Sequence, residues 1–227
     1  MISIIVPVLN EGAGLAAFLA KLQPLRAAGT EIVLVDGGST DDTIAEAAGR
    51  VERILSAPRG RSRQMNAGAA AAKGDILLFL HADTELPLNA CDAIRRALSK
   101  RAWGRFDIRI EPAGMALRLI SRLMNLRSRL TGIATGDQAL FVQRVALEKV
   151  GGFPDIALME DVAISKLLKR ECRPECLSQQ VITSGRRWER GGLLATVLLM
   201  WRLRIKFFLG VDADRLAVEY GYQPYRL

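Results

Sequence analysis

Four short apolar runs, each closed by a turn and followed by residues at helical spacing, constrain this chain more than any other feature. Ser3 to Val8 reads SIIVPV, Glu31 to Val35 reads EIVLV, Val51 to Leu55 is a weaker third run, and Ile76 to Leu80 is ILLFL, without a polar residue. Runs of this length with no apolar–polar alternation suit strands covered on both faces. Between the first two, Leu15, Phe18, Leu19 and Leu22 fall on one face of a helix spanning Gly14 to Leu25. Ser39 to Asp42 offers cap oxygens and first-turn acids for a second helix, and Ser62 to Ala72 is an alanine-rich third. Strands alternating with helices at this spacing predict βαβ units, right-handed crossovers and a mostly parallel central sheet with flanking helices. Ligands of such sheets bind beyond the carboxyl ends of the strands. Asp36 stands at one such end, and His81, Ala82 and Asp83 at another.

Beyond Pro87 the pattern loosens. Leu88 to Leu98 and Met115 to Leu130 read as helices, the second carrying Arg118, Arg122, Arg127 and Arg129. Trp103 to Ile110 alternates like a strand with one solvated face, Ala139 to Val142 is a short strand, and Asp161 to Lys169 is a helix. Gly192 to Leu209 is a long apolar helix with Arg202, Arg204 and Lys206 in its second half. Half of the 227 residues are hydrophobic, enough for one α/β core, and no Gly/Ser linker or repeat interrupts them. The expected organisation is one domain over 1–190, with a helical extension over 191–227 packed on it.

The net charge of +8 suits nucleic acid, an anionic membrane surface or a phosphate-bearing substrate, and equally a solvated basic face. Cys91, Cys172 and Cys176 are an odd number, and no second Cys/His pair completes a zinc site around Cys172 and Cys176, so they read as ordinary thiols of a reducing compartment. The first strand begins at once, with no basic segment of a signal peptide before it. The uncharged stretch from Gly191 to Trp201 is too short to span a bilayer. A cytoplasmic protein, with possible contact at the inner membrane face, is expected.

Several groups of residues are suited to chemistry. Gly12, Gly14 and Ala17 form a loose G-x-G-x-x-A, but Leu9, Asn10 and Glu11 intervene where a dinucleotide turn needs its first glycine at the strand end. Asp36 precedes two glycines; because Asp41 and Asp42 serve the following helix cap, it reads as free for a base or ribose. Asp83 is well placed for a hard divalent cation on a diphosphate, while His81, the only histidine, reads as structural. Glu160 and Asp161 open a helix, where acids complement the dipole or, within a pocket, serve as a general base. Arg186, Arg187 and Arg190 surround Trp188 and could fork onto phosphate oxygens.

Taken in order, IIVPVLNE, IVLVDGGSTDDT, GRSRQMNAGAAAAKGDILLFLHADT, TGDQALFV, GGFPDIALMEDVAISKLLKR and RRW resemble a family 2 glycosyltransferase of the GT-A nucleotide-diphospho-sugar fold, from residue 2 to residue 188. The nearest resemblance is to short stand-alone bacterial members with HAD in place of DxD and an RRWERGG tail. It implies a nucleotide pocket formed by Pro7, Asn10, Glu11, Asp36, Arg63 and Ala82. It implies Asp83 as the ligand of Mg²⁺ or Mn²⁺, Asp161 as the base that deprotonates the acceptor, and Glu160, Arg187 and Trp188 toward phosphate and acceptor. The sequence departs from the family pattern at His81 (usually an acid), Met65 (often arginine, with Arg61 and Arg63 nearby) and Ser184 (the glutamine of QxxRW).

The resemblance thus implies inverting, metal-dependent transfer of a sugar from a nucleoside-diphosphate sugar to a hydroxyl. The basic and apolar helices at 115–130 and 193–209 suit a lipid-like or amphipathic acceptor, peripheral membrane contact, a homo-oligomer or plain core. A nucleotidyltransferase of related fold would want a basic residue in the loop after the first strand, and PVLNEGAGL has none. A non-enzymatic binder of nucleic acid or membrane would explain the charge but not the ordered acids Asp36, Asp83 and Asp161; nucleic acid is not expected as a partner.

Overall fold

A computed structural model describes residues 1–112, 114–185 and 191–222. Strands β1 (Ile2–Val8), β2 (Glu31–Asp36), β3 (Arg53–Ser56), β4 (Ile76–Phe79), β5 (Thr84–Glu85), β6 (Trp103–Glu111), β7 (Phe141–Gln143) and β8 (Glu175–Ser184) form one sheet in the order β3-β2-β1-β4-β7-β6-β8-β5. The first four are mutually parallel, as the βαβ spacing requires. β7 runs antiparallel between β4 and β6, β6 pairs parallel with β8, and β5 closes the edge antiparallel to β8. The sheet is therefore mixed, with parallel pairs in the majority.

Helices α1 (Gly12–Ala27), α2 (Thr43–Ala47), α3 (Arg61–Ala71), α4 (Ala90–Leu98), α5 (Met115–Thr131), α6 (Arg144–Lys149) and α7 (Glu160–Glu171) flank the sheet, with α8 (Leu193–Phe208) and α9 (Ala213–Tyr220) after it. β1 has no solvated face because successive side chains enter opposite cores. Ile4 and Val6 meet Leu15 and Leu19 of α1 and Ile94 of α4, while Ile5 meets Met65 of α3 and Ile164 of α7. α3 lies close to β1 because Gly68 has no Cβ; one built there would stand 2.5 Å from Ile5 Cγ2. That approach places the first turn of α3 over the ends of β1 and β2.

Two expectations change. The start of β6 is buried, not half-solvated, and Arg105 within it is fully buried. Its guanidinium is taken up by Asp107 and by the main-chain oxygen of Asn125. α5, an amphipathic helix, turns its polar side inward. Ser121, Asn125 and Ser128 are buried, whereas Met115, Leu119, Leu123, Leu126 and Leu130 are exposed. The reason is the edge of β6, which pairs with β7 only at Trp103 and Gly104. Beyond that point its main chain needs other partners. The Asn125 side chain accepts from Ile108 N (2.9 Å) and donates to Ile108 O (3.0 Å), and Ser121 Oγ accepts from Ile110 N (3.1 Å).

The C-terminal helices have their own contacts with the rest. Leu203, Leu216 and Ala217 pack with Ile133, Leu158, Met159 and Val162. Glu219 of α9 pairs with Arg202 and Lys206 of α8. Among the described residues, no helix is long and apolar enough to cross a membrane.

Candidate functional site

The carboxyl ends of β1 and β2 carry two loops stitched to each other. Asn10 adopts a left-handed conformation (φ 55°), and its Oδ1 accepts from Thr40 N (2.8 Å) while its own N–H donates to Ser39 Oγ (2.9 Å). The Glu11 N–H donates to Thr43 Oγ1 and the Gly12 N–H to Asp41 Oδ2, at 2.9 and 3.0 Å. Pro7 is half-buried at the end of β1. Asp36 is not free, contrary to the sequence reading. Its carboxylate accepts from the N–H groups of Gly38 and Ser39 and from Ser39 Oγ, and it is only 5 % exposed. The acid shapes the turn from within, while Asp41 serves the start of α2 by accepting from Thr43 N at 3.1 Å.

The first turn of α3 joins this region to the acids near residue 160. Gln64, which sequence reasoning missed, donates from Nε2 to the main-chain oxygens of Val8 and Val35, both at 2.8 Å. Arg63, expected at the nucleotide, forms a bidentate pair with Asp155 at 2.8 and 3.1 Å and ties α3 to the loop before α7. Arg61 is the basic residue that enters the site. Burial opposes its charge, but Tyr222, Glu160, Asp137 and Asp161 more than offset that and hold the guanidinium above the ordinary arginine range. Its guanidinium also lies 5.7 Å from the centre of the Tyr222 ring.

α7 begins after Met159, held in a left-handed conformation at φ 69°, which turns the chain so that Glu160 and Asp161 open the helix. Asp161 Oδ2 accepts from the Gly136 N–H at 2.9 Å and Oδ1 from the Val162 N–H at 2.7 Å. Glu160 is buried, and its pKa is pushed up to about 7, first by burial and then by the charge of Asp161, with Arg61 pulling the other way. Both acids line a cavity of about 20 Å³ with Met65, Phe79, His81, Thr135, Gly136, Leu140 and Phe153, room for roughly one water. His81 lines the same cavity as the two acids. Its Nδ1 lies 3.5 Å from Asp137 Oδ1, and a Cβ on Gly136 would come within 2.5 Å of its Cε1. Asp137, within the TGDQALFV stretch, went unremarked as a site acid; only the 3₁₀ turn at Gly136–Gln138, closed by a reciprocal Thr135–Gln138 cap, brings it to His81.

Ala82 and Asp83 form the tip of the turn between β4 and β5, closed by the Thr84 N–H donating to His81 O at 3.0 Å. No group of three His, Cys, Asp or Glu able to hold a metal exists among the described residues. One carboxylate at a strand-end turn nevertheless fits Mg²⁺ or Mn²⁺, which take one or two protein carboxylates and complete their shell with substrate phosphates and water. Arg187 and Trp188 lie outside the described residues. The three cysteines are free thiols.

Comparison with known proteins bears on the family and the fold. A Mycobacterium tuberculosis PGL/p-HBAD biosynthesis glycosyltransferase is 41% identical over 93 residues, covering 38% of this chain and 36% of that one. The match thus spans about a third of the length of that relative. Among solved structures, the M. tuberculosis glucosyl-3-phosphoglycerate synthase with Mn²⁺, UDP and glucosyl-3-phosphoglycerate superposes with a TM-score of 0.65 at 17% identity, over 93% of this chain and 80% of that one. The Pyrobaculum calidifontis mannosyltransferase in complex with GDP-Man and Mn²⁺ gives 0.60 at 23% identity, over 96% and 64%. These likenesses are of fold, and the fold is GT-A. The family model for glycosyl transferase family 2 matches residues 3–142, from the first strand through the His81–Asp83 turn to β7, and the chain belongs to that family.

Proposed function

We propose that the protein transfers a sugar, with inversion, from a nucleoside-diphosphate sugar to an acceptor hydroxyl. The observation that carries this reading is Asp161, fixed by the Gly136 N–H and lining one pocket with His81, whose turn carries Asp83. Two of its lone pairs are spent on main-chain N–H groups. The remaining ones can take the acceptor's proton, as a general base must. Pro7, Asn10, Glu11, Asp36 and Ala82 form the nucleotide side of the site. Asp83 would hold Mg²⁺ or Mn²⁺, which when bound neutralises charge on the leaving diphosphate. Arg187 and Trp188 are assigned to the diphosphate and acceptor side, and residues 1–190 to the transferase domain.

The test is a thermal-shift panel of UDP-, GDP-, dTDP- and CMP-sugars with and without Mn²⁺. One donor should stabilise the protein, and more so with the metal. Asp161→Asn should abolish transfer and keep that stabilisation, whereas loss of donor binding in this variant would make Asp161 structural.

We also propose that the acceptor is met at an anionic membrane surface. The exposed apolar side of α5 is matched on α8 by Leu194, Leu198, Trp201, Ile205 and Phe208, and Arg118, Arg122, Arg202 and Lys206 flank the two. Helices of this kind lie in the headgroup region. Flotation with phosphatidylglycerol vesicles should carry the protein upward; a protein that stays with the soluble fraction refutes the contact.

A further inference from the structure

Two arginines, one on α5 and one on α8, have no use in the donor reading. Arg127 Nε and Nη2 are buried and donate to nothing among the described residues. A buried charged donor left unmatched carries the full cost of its lost hydration. At about 100° per residue, Arg118, Arg122 and Arg129 share one flank of α5, and Arg127 alone lies on the other. Among the described residues Asp161 is the opposite charge acting on Arg127, while Arg204 and Arg105 act as like charges. Burial, reinforced by those two arginines, depresses the pKa of Arg127 to about 10.

Neither neighbour relieves it. Arg105, itself a cation, bonds Asp107 and the Asn125 oxygen, and its Nε is likewise buried without a partner among the described residues. Asp161 already accepts two main-chain N–H groups. Arg204 is half-buried on α8, next to Leu203, which packs on Ile133 just past the end of α5. It makes no hydrogen bond or ion pair among the described residues. Arg127 therefore keeps two buried donors unmatched among the described residues, within reach of the charges of Asp161 and Arg204.

We propose that Arg127 and Arg204 form a subsite for a phosphate ester carried by the acceptor, which orients the acceptor hydroxyl toward Asp161. A planar fork meets two phosphate oxygens at once, and a phosphate satisfies the orphan Nε and Nη2 while removing the repulsion between the two cations. The assignment deepens the transferase reading and rests on Asp161 as its base. The ester can belong to a soluble molecule or to a lipid; the chemistry at the two arginines is the same.

The test uses methyl phosphate as a soluble monoester, read as a thermal shift of the full chain with and without a saturating stabilising donor. The wild type should be stabilised, and the shift should add to that of the donor. Arg127→Gln and Arg204→Gln should each weaken methyl phosphate binding at least tenfold, and Arg170→Gln, a surface change of equal charge on α7, should not. Vesicles of phosphatidylcholine with phosphatidic acid form the second arm. Binding to these, but not to methyl phosphate, with the same loss in both variants, identifies a lipid phosphate; binding to both identifies a site open to soluble esters. Unchanged binding in both variants overturns the proposal, as does a donor that abolishes the methyl phosphate shift, since the arginines then serve the donor's diphosphate. Asp161→Asn should leave the phosphate shift intact. A failure of donor binding in the wild type therefore counts against the transferase reading without touching this titration.

Discussion

Replacing Glu160 by glutamine should remove a pH dependence from the stability of the whole chain. The folded protein holds this carboxyl at about 7, against an ordinary value of 4.5, because burial and the charge of Asp161 disfavour its ionised form. A group whose pKa is raised on folding contributes stability below 4.5 and loses it as the pH rises toward 7. The gap corresponds to roughly 3 kcal/mol, at about 1.4 kcal/mol for each tenfold in proton affinity. For a chain of this size that is a difference in Tm on the order of 6–12 °C. Thermal melts of the wild type and Glu160→Gln at pH 5 and pH 8 read the effect, since titrating groups remote from Glu160 cancel in the double difference. What remains belongs to Glu160 together with Asp161, whose charge acts on it. The fall in Tm between the two pH values should be smaller in the variant by that amount. Equal falls in both proteins would refute the argument, for they would mean that Arg61 compensates the buried charge fully and that Glu160 is ionised at both pH values.

Gly136→Ala should cut transfer at least tenfold while leaving donor-induced thermal shifts in place, because the new Cβ would meet the His81 ring 2.5 Å away. Steady-state assays read the loss, and unchanged turnover would show that the ring gives way freely. Gly68→Ala should cost about 1–3 kcal/mol through overpacking against Ile5 and Val35, seen as a lower denaturant midpoint. Asn66→Ala should cost a similar 1–3 kcal/mol, since its side chain both donates to Phe153 O and accepts from Phe153 N, and proteolysis within 151–158 should quicken.

The chain order already contained the parallel half of the fold. Four apolar runs and their intervening helices are local patterns, and burial on both faces leaves them one arrangement, so β1 to β4 lie close to where the spacing puts them. The positions of Asp83 beyond β4 and of Asp161 at the start of α7 follow for the same reason: the end of a periodic segment is a property of sequence. What the sequence could not supply was direction. α5 reads as amphipathic either way round, and only the unpaired edge of β6 decides that Ser121 and Asn125 face inward and the leucines outward. Asp36 reads as free until the turn that it holds is seen to close on it. His81 reads as a solitary histidine until a 3₁₀ turn more than fifty residues away brings Asp137 and Gly136 against it. Of the four arginines on α5, spacing separates one from three, but only the folded chain brings the charges of Asp161 on α7 and Arg204 on α8 to act on Arg127. Periodicity is written into neighbouring residues and survives without the fold; charge pairing across distant segments is settled only when packing removes the water between them.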